Sequence, residues 1–341
     1  MILDGRDESS IKTAAQVIAA GELVGLPTET VYGLAADADN PSAIAKIFAA
    51  KGRPADHPLI VHVRDASCVA HFASDVPDFA KALIKAFWPG PLTLILRRQR
   101  GVAAAAAGGQ NSIGLRCPSH PVAQALLQAC QADAAKPVWG IAAPSANLFG
   151  RVSPTTAQHV QDEFGAALPV LDGGACSVGI ESTIIDCTRG APVLLRPGAV
   201  TSEQVQAVCG MPVLSVDAMQ ALDQPAPRAS GTLESHYAPN AKVRLMDARA
   251  MQTALDLLGR DVDGKGGAPL IATYSRVILK TPCATVLRKR MPDDAPATAQ
   301  QLFAVLRAFD TQGVKLIWIE TPPDGSEWDG VRDRLQRAAA A

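Results

Sequence analysis

Four segments of the chain gather reactive or anion-holding side chains where a strand or helix is expected to end. Lys51-Gly52-Arg53-Pro54 sets two cations at alternate positions across a glycine and runs into Asp56-His57-Pro58-Leu59-Ile60-Val61-His62. An amine and a planar guanidinium that can point the same way suit phosphate or carboxylate oxygens. The same string also suits a helix C-terminus, with its cations at the negative end of the dipole. Pro27-Thr28-Glu29-Thr30-Val31-Tyr32-Gly33 offers two hydroxyls, a carboxylate and a phenol beside a glycine, and reads equally as a capped turn. Ala143-Pro144-Ser145-Ala146-Asn147, ahead of Arg151 and Ser153, lets backbone N–H groups approach a ligand, or is a plain turn. Asp172-Gly173-Gly174 through Gly179-Ile180-Glu181-Ser182-Thr183, then Arg196-Pro197-Gly198, leaves room for a phosphate beside the Ser182 hydroxyl and the Arg196 guanidinium. Tight hairpins would look similar.

Other chemistries are missing from the sequence. No Gly-x-x-x-x-Gly-Lys-Ser/Thr and no Gly-x-Gly-x-x-Gly occurs, so a nucleotide would be held in another way. The seven cysteines include no Cys-x-x-Cys pair and the six histidines no His-Glu-x-x-His, which argues against a structural zinc and for free thiols in a reducing compartment.

The elements that must carry these segments alternate. Ile11, Ala14, Ala15 and Ile18 recur at helical spacing before Gly21, and a strand is expected over Glu22–Leu26. Further strands are predicted at Leu59–Val63, Leu92–Leu96, Ile113–Arg116, Val138–Ala142, Val170–Asp172, Thr183–Asp186 and Val193–Leu195. Helices are predicted at Ala43–Ala50, Val122–Cys130, Thr156–Phe164 and Ser202–Val208. The interleaving predicts an α/β sheet domain over residues 1–206. A Pro-, Ala- and Ser-rich stretch, 207–240, reads as a linker or lid, and 241–341 repeats a β-α order that predicts a second, smaller α/β domain. The alanine run 103–107, flanked by glycines, reads as a flexible loop.

With 32 basic against 33 acidic residues, the formal charge of −1 gives no global reason to expect a polyanion-binding or membrane-surface protein. No apolar run approaches the length that spans a bilayer, and the N-terminus carries acids where a signal peptide would be basic. A cytoplasmic protein is expected.

Taken together the segments are specific. PTETVYGL, the Lys-x-Arg of KGRP, HPLIVH, FWPGPLTLIL, GLRCPSHPVA, APSAN, SPTTAQHV, LDGG, VGIESTIID, LLRPG and HYAP occur in the order and approximate spacing of one family. The chain strongly resembles the YrdC-like threonylcarbamoyl-AMP synthases in their long form, closely over residues 1–206 and more loosely over 241–341. The resemblance implies a twisted mixed sheet with surrounding helices and a Rossmann-like C-terminal domain. It implies a nucleotidyltransferase that makes threonylcarbamoyl-AMP and pyrophosphate from L-threonine, bicarbonate and ATP, with Mg²⁺ arriving on the ATP and no organic cofactor. A separate transferase complex would then modify tRNA, and direct tRNA contact is open. It places L-threonine at Thr30, His62, Arg116, the Ala143 backbone and Ser182. It places ATP at Lys51, Arg53, His57, Ser112, Ser145, Asn147, Ser153 and Arg196, with Tyr237 closing over the nucleotide, and makes Lys51 and Arg53 the catalytic cations.

Three positions depart from the family pattern. His57 stands where Asn is usual, Phe149 replaces a small residue after APSAN, and Ser230-Gly231-Thr232-Leu233-Glu234-Ser235 replaces the commoner string before HYAP. Two rival readings are a non-catalytic RNA-binding module in tRNA or ribosome maturation and a carbamoyl-transfer domain of a larger maturation enzyme. Low aromatic content, 4%, and near neutrality oppose an extended RNA grip. Replacing Lys51 or Arg53 with Ala should remove about 2 to 4 kcal/mol of transition-state stabilisation while leaving the fold intact. Near-normal turnover of Lys51→Ala would show that the pair does not carry the phosphates.

Overall fold

Short apolar runs alternating with amphipathic stretches become strands and covering helices in the computed structural model, which describes residues 1–132, 136–221, 227–231, 236–258 and 270–341. The chain divides into two compact units, Met1–Phe149 with Ser153–Thr232, and Gly150–Val152 with Leu233–Ala341.

The first unit is built on a twelve-stranded mixed sheet. Its strands are β1 (Ile2–Asp4), β2 (Val24–Leu26), β3 (Gly33–Asp37), β4 (Ile60–His62), β5 (Ala73–Asp75) and β6 (Leu92–Arg98). β7 (Ser112–Arg116), β8 (Ile141–Ala142), β9 (Val170–Asp172), β10 (Thr183–Asp186), β11 (Val193–Arg196) and β12 (Leu214–Ser215) complete it. The order is β1-β9-β2-β3-β8-β4-β7-β6-β10-β11-β12, with β5 paired to β6. Helix Glu8–Ala19 packs Ile11, Ala14 and Ile18 against Val122, Leu126 and Leu127 of helix Pro121–Gln131, burying one part of the sheet. Helix Pro41–Lys51 sends Ile44 and Ile47 into a second cluster with Leu34, Val61, Phe72 and Leu115. These stripes repeat at three- and four-residue spacing, which is why the segments fold as helices against a sheet.

Each site-bearing helix starts and stops on a local signal. Asn40 caps helix Pro41–Lys51 by accepting from the backbone of Ser42 and Ala43, and Pro41 fits its first turn. Gly52, at φ 60°, ends it in the left-handed region. That reversal is open to glycine at little cost and turns the chain back directly after Lys51.

The second unit carries its own parallel sheet in the order β13 (Lys242–Met246), β16 (Leu316–Glu320), β14 (Ile271–Ser275), β15 (Leu287–Arg290). Met251 and Leu255 of helix Ala248–Leu258 pack with Trp318 and Ile271. Leu302, Phe303 and Leu306 of helix Ala295–Thr311 and Leu335 of helix Asp329–Ala339 are also buried. Among the described residues no helix is long and apolar enough to cross a membrane.

Two expectations change. The alanine run is not a flexible loop: Ala103, Ala106 and Ala107 are buried, and Ala106 O accepts from Leu59 N at 2.7 Å. Methyl-sized side chains let that turn lie close beneath the segment leading to β4. The segment 207–240 is only in part a connection. Helix Ser202–Cys209 runs into it, β12 pairs in parallel with β11, and helix Val216–Ala221 follows. Val213, Leu214 and Val216 supply the apolar contacts that fix this stretch to the sheet. Residues 222–226 and 232–235 lie outside the described residues.

Gly198 sits where β11 leaves the sheet beside β10, and a Cβ there would lie 2.5 Å from Thr183 N and 2.8 Å from Thr183 Oγ1. Gly198→Ala should therefore cost about 1 to 3 kcal/mol by overpacking against backbone. A denaturant midpoint equal to that of the wild type would refute this.

Candidate active site

Five neighbouring strands deliver polar side chains to one end of the first sheet. Parallel pairing of β4 with β7 sets His62 opposite Arg116. On β6, the next strand, Thr93 Oγ1 is 2.7 Å from the Ser182 hydroxyl just ahead of β10. Arg196, at the end of β11, donates from Nη2 to Ser182 Oγ at 3.2 Å and from Nε to Ser182 O at 3.0 Å. Arg116 Nη1 donates to Thr30 Oγ1 at 2.7 Å, and its Nε donates to Gly90 O at 3.3 Å. Thr30, His62, Arg116 and Ser182, the residues expected to hold threonine, are all buried. Ala143 follows β8 and is tied to β4 by its N–H, which donates to Ile60 O at 3.1 Å.

Lys51 is the last residue of helix Pro41–Lys51. Its Nζ donates to Ser145 O and Asn147 O, each at 2.5 Å. The loop carrying Ser145 and Asn147 is held by Leu34 N donating to Pro144 O at 2.7 Å and Ala146 N donating to Tyr32 O at 2.8 Å. The Lys-x-Arg and Ser-x-Asn segments, remote in sequence, are thus one structure. Arg53 Nη2 donates to Pro58 O at 3.0 Å, and its guanidinium lies over the Phe149 ring at 5.7 Å. His57 meets the same ring edge-to-face, with centroids 5.5 Å apart.

Charge sets the protonation of these groups. Burial, reinforced by Arg53, pushes the Lys51 amine down to about 7. Burial and the Arg116 charge push His62 down to about 3, so it is a neutral imidazole at physiological pH. Glu29, which in the sequence reads only as the carboxylate of a capped turn, lies beside Arg116 with Oε1 2.8 Å from Nη2. Burial is the largest influence and raises its affinity for a proton, but the Arg116 charge and the N–H groups of Arg116, Glu29 and Ser119 together outweigh it and hold the carboxyl below its usual range.

A strap of the chain crosses the cations. Ser230 O accepts from Arg196 Nη1 at 2.8 Å, and Ser230 Oγ is 3.5 Å from Arg53 Nη2. Ala229 packs on the apolar patch of Ile60, Ile95, Ile184, Val193 and Leu195. Arg228 and Gln110 exchange two hydrogen bonds, at 3.0 and 3.2 Å, and Arg228 pairs with Asp56. None of these strap contacts was legible as motif.

Three further residues expected to contact ATP have contacts of their own. Ser112, at the start of β7, lines an open cleft of about 750 Å³ with Arg97, Arg100 and Arg189. Ser153 Oγ donates to the Glu181 carboxylate. Tyr237 belongs to the second unit, where it is buried against His236 and Phe303 with Arg334 over its ring at 5.4 Å. Its assignment to a nucleotide rests on the resemblance alone.

The lowered Lys51 value predicts proton traffic on ligand binding. At pH 8.5 the free protein holds Lys51 largely neutral, and a triphosphate beside it favours the ammonium, so ATP binding should take up close to one proton. The uptake should fade below about pH 6, where Lys51 is already charged. Calorimetry in buffers of different ionisation enthalpy reads this directly. Buffer-independent heats at pH 8.5, or uptake that survives in Lys51→Met, would exclude Lys51 as its source.

The model of a family described as "Telomere recombination" matches residues 16–198, and that of "Threonylcarbamoyl-AMP synthase, C-terminal domain" matches residues 200–340. A threonylcarbamoyl-AMP synthase of Bacillus subtilis is 36% identical over 335 residues, covering 98% of this chain and 94% of the relative. One from Pyrococcus abyssi is 36% identical over 337 residues, covering 98% and 95%. The solved structure of Pyrococcus abyssi Sua5 complexed with L-threonine superposes with a TM-score of 0.85 at 34% identity, covering 98% of this chain and 95% of that one. Another Pyrococcus abyssi Sua5 structure, a double-alanine variant, gives a TM-score of 0.86 at 33% identity, covering 99% and 96%. With the motif residues gathered at one sheet end and similarity running through both units, the chain belongs to the threonylcarbamoyl-AMP synthases, enzymes of the nucleotidyltransferase type.

Proposed function

We propose that the protein condenses L-threonine, bicarbonate and ATP into threonylcarbamoyl-AMP and pyrophosphate, with Mg²⁺ entering as part of the ATP substrate. The observation that carries this reading is the row of buried His62, Arg116, Thr93, Ser182 and Arg196 across five contiguous strands, with Lys51 and Arg53 beside it. Threonine and bicarbonate give N-carboxythreonine with loss of water. A carbamate oxygen then forms a bond to the α-phosphorus as the bond to the bridging oxygen of pyrophosphate breaks.

Nothing covalent is asked of the protein, so its residues hold and neutralise. Arg116 receives the threonine carboxylate, for which a guanidinium fork is suited. Thr30, neutral His62 and Ser182 supply uncharged hydrogen-bonding groups for the threonine hydroxyl and the carbamate. Lys51, Arg53 and Arg196 spread over the phosphates, with His57, Ser112, Ser145, Asn147 and Ser153 as the further ATP contacts that the resemblance assigns. Phosphate oxygens would take over from Ser230, which already sits on two of these cations as an acceptor. The product is a mixed anhydride, suited to passing its threonylcarbamoyl group to tRNA through a separate transferase.

Pyrophosphate release should require ATP, L-threonine and bicarbonate together, and omission of any one should abolish it. Among amino acids, 2-aminobutyrate should fall about a hundredfold or more below L-threonine in kcat/KM, because a site that pairs with a hydroxyl is left with unpaired polar groups by its loss. Release that persists without threonine, or equal efficiency for threonine, serine and 2-aminobutyrate, would overturn the reading.

A further inference from the structure

The Glu29–Arg116 contact has an arrangement that a purely structural pair would not need. Both side chains are almost fully buried, 6% and 4% exposed, and their charges are 2.8 Å apart. Yet the contact is poorly aligned for hydrogen bonding: the Arg116 guanidinium and the backbone N–H groups of Glu29 and Ser119 lie near the carboxylate, while both its oxygens and Arg116 Nη2 keep hydrogen-bonding capacity. The His62 ring beside them has the Ile60 and Ile141 backbone within reach, and its Nδ1 makes no aligned hydrogen bond. Buried polar atoms are ordinarily satisfied, and leaving them so costs stability. Three residues at one place with unmet hydrogen-bonding capacity point to a ligand that meets it.

The chemistry of that ligand follows from the charges. Arg116 commits Nη1 to Thr30 and Nε to Gly90, which fixes the plane of the guanidinium and leaves Nη2 toward Glu29. A carboxylate and a guanidinium in van der Waals contact present a negative and a positive centre about as far apart as the two charges of an α-amino acid, roughly 3 Å by standard bond lengths. We infer that Glu29 reads the α-ammonium group of the substrate amino acid while Arg116 reads its α-carboxylate, so that the internal ion pair is exchanged for two pairs with a zwitterion. This rests on the proposed threonine site and adds to it a specificity-determining residue.

The exchange explains why burial of the pair is tolerable. Removing one partner of a buried pair leaves an uncompensated charge. A zwitterion compensates both centres at once, and an analogue with only one of the two charges strands the other. Selection for a free amino acid is then built in before the hydroxyl is read.

Binding of three compounds to the full chain tests this: L-threonine, 3-hydroxybutyrate, which lacks the ammonium, and threoninol, which lacks the carboxylate. The wild type should bind both analogues about 30-fold or more weakly than L-threonine, the scale of a stranded buried charge. In Glu29→Gln the ratio of threonine to 3-hydroxybutyrate should collapse to within about threefold, whereas the ratio of threonine to threoninol should stay as in the wild type. Retained ATP binding confirms that this variant is folded, and Glu29→Asp, which keeps the charge, should keep the discrimination. Wild-type protein that binds 3-hydroxybutyrate as well as threonine, Glu29→Gln that still discriminates as the wild type does, or Glu29→Asp that loses discrimination while still binding ATP would each overturn the role of Glu29. A wild type that binds ATP but none of the three compounds would overturn the threonine site itself.

Discussion

The first unit must keep four cations, Lys51, Arg53, Arg116 and Arg196, 2 to 8% exposed. Desolvating a charge is expensive, and each of these is managed by a different device. Arg116 is matched by the Glu29 carboxylate. Lys51 is surrounded by carbonyl oxygens and gives up proton affinity instead. Arg53 uses a carbonyl and an aromatic face, and Arg196 uses the Ser182 backbone and hydroxyl and the strap. The architecture around them follows from this need. The cations stand at strand and helix ends, where free carbonyls and hydroxyls are available, and the sheet interior between them remains apolar.

That constraint also accounts for the strap. Ser230 supplies neutral acceptor oxygens to the Arg53 and Arg196 guanidiniums, and Ala229 covers the apolar patch next to them. Neutral acceptors are weaker partners for a guanidinium than charged ones. The contact satisfies the cations without burying a further countercharge beside them.

How much of this was legible depended on whether an element is specified locally. The helices with apolar stripes and the β-branched strands such as Thr183–Asp186 stand where their patterns put them. β3, Gly33–Asp37, has no such pattern: its Gly-Leu-Ala-Ala-Asp string is a strand because both faces are covered, all five residues being buried. β15, Leu287–Arg290, is a run of cations at a sheet edge, where charge protects an unpaired strand and no alternation is needed. The motif residues were legible because glycines, prolines and polar side chains at strand ends are unusual together. Glu29 was passed over since a Glu between two Thr residues is ordinary helix-start chemistry, and only the fold brings Arg116 to it from 87 positions away in sequence. In the second unit the carboxyl end of β16 is likewise set by distant residues. Glu320 accepts from Ser275 Oγ and Arg276 N, each at 2.7 Å, filling with an internal carboxylate a position where open parallel sheets commonly bind ligands.

The two single-residue departures from the family pattern gain their meaning from being in contact. His57 and Phe149 lie 92 positions apart in the chain, yet their rings meet edge-to-face at 5.5 Å, and the same Phe149 ring carries the Arg53 guanidinium. A phenyl ring in place of a small residue fills space beside Arg53, and an imidazole in place of an amide offers an edge that an aromatic face accepts. The planar guanidinium gains an aromatic partner that orients it without adding a negative charge beside it. Burial and the nearby Arg53 charge lower the His57 proton affinity, so the ring is biased toward the neutral form that this packing suits. One exchange therefore makes the other affordable, and both rings pack in one cluster with the Arg53 guanidinium.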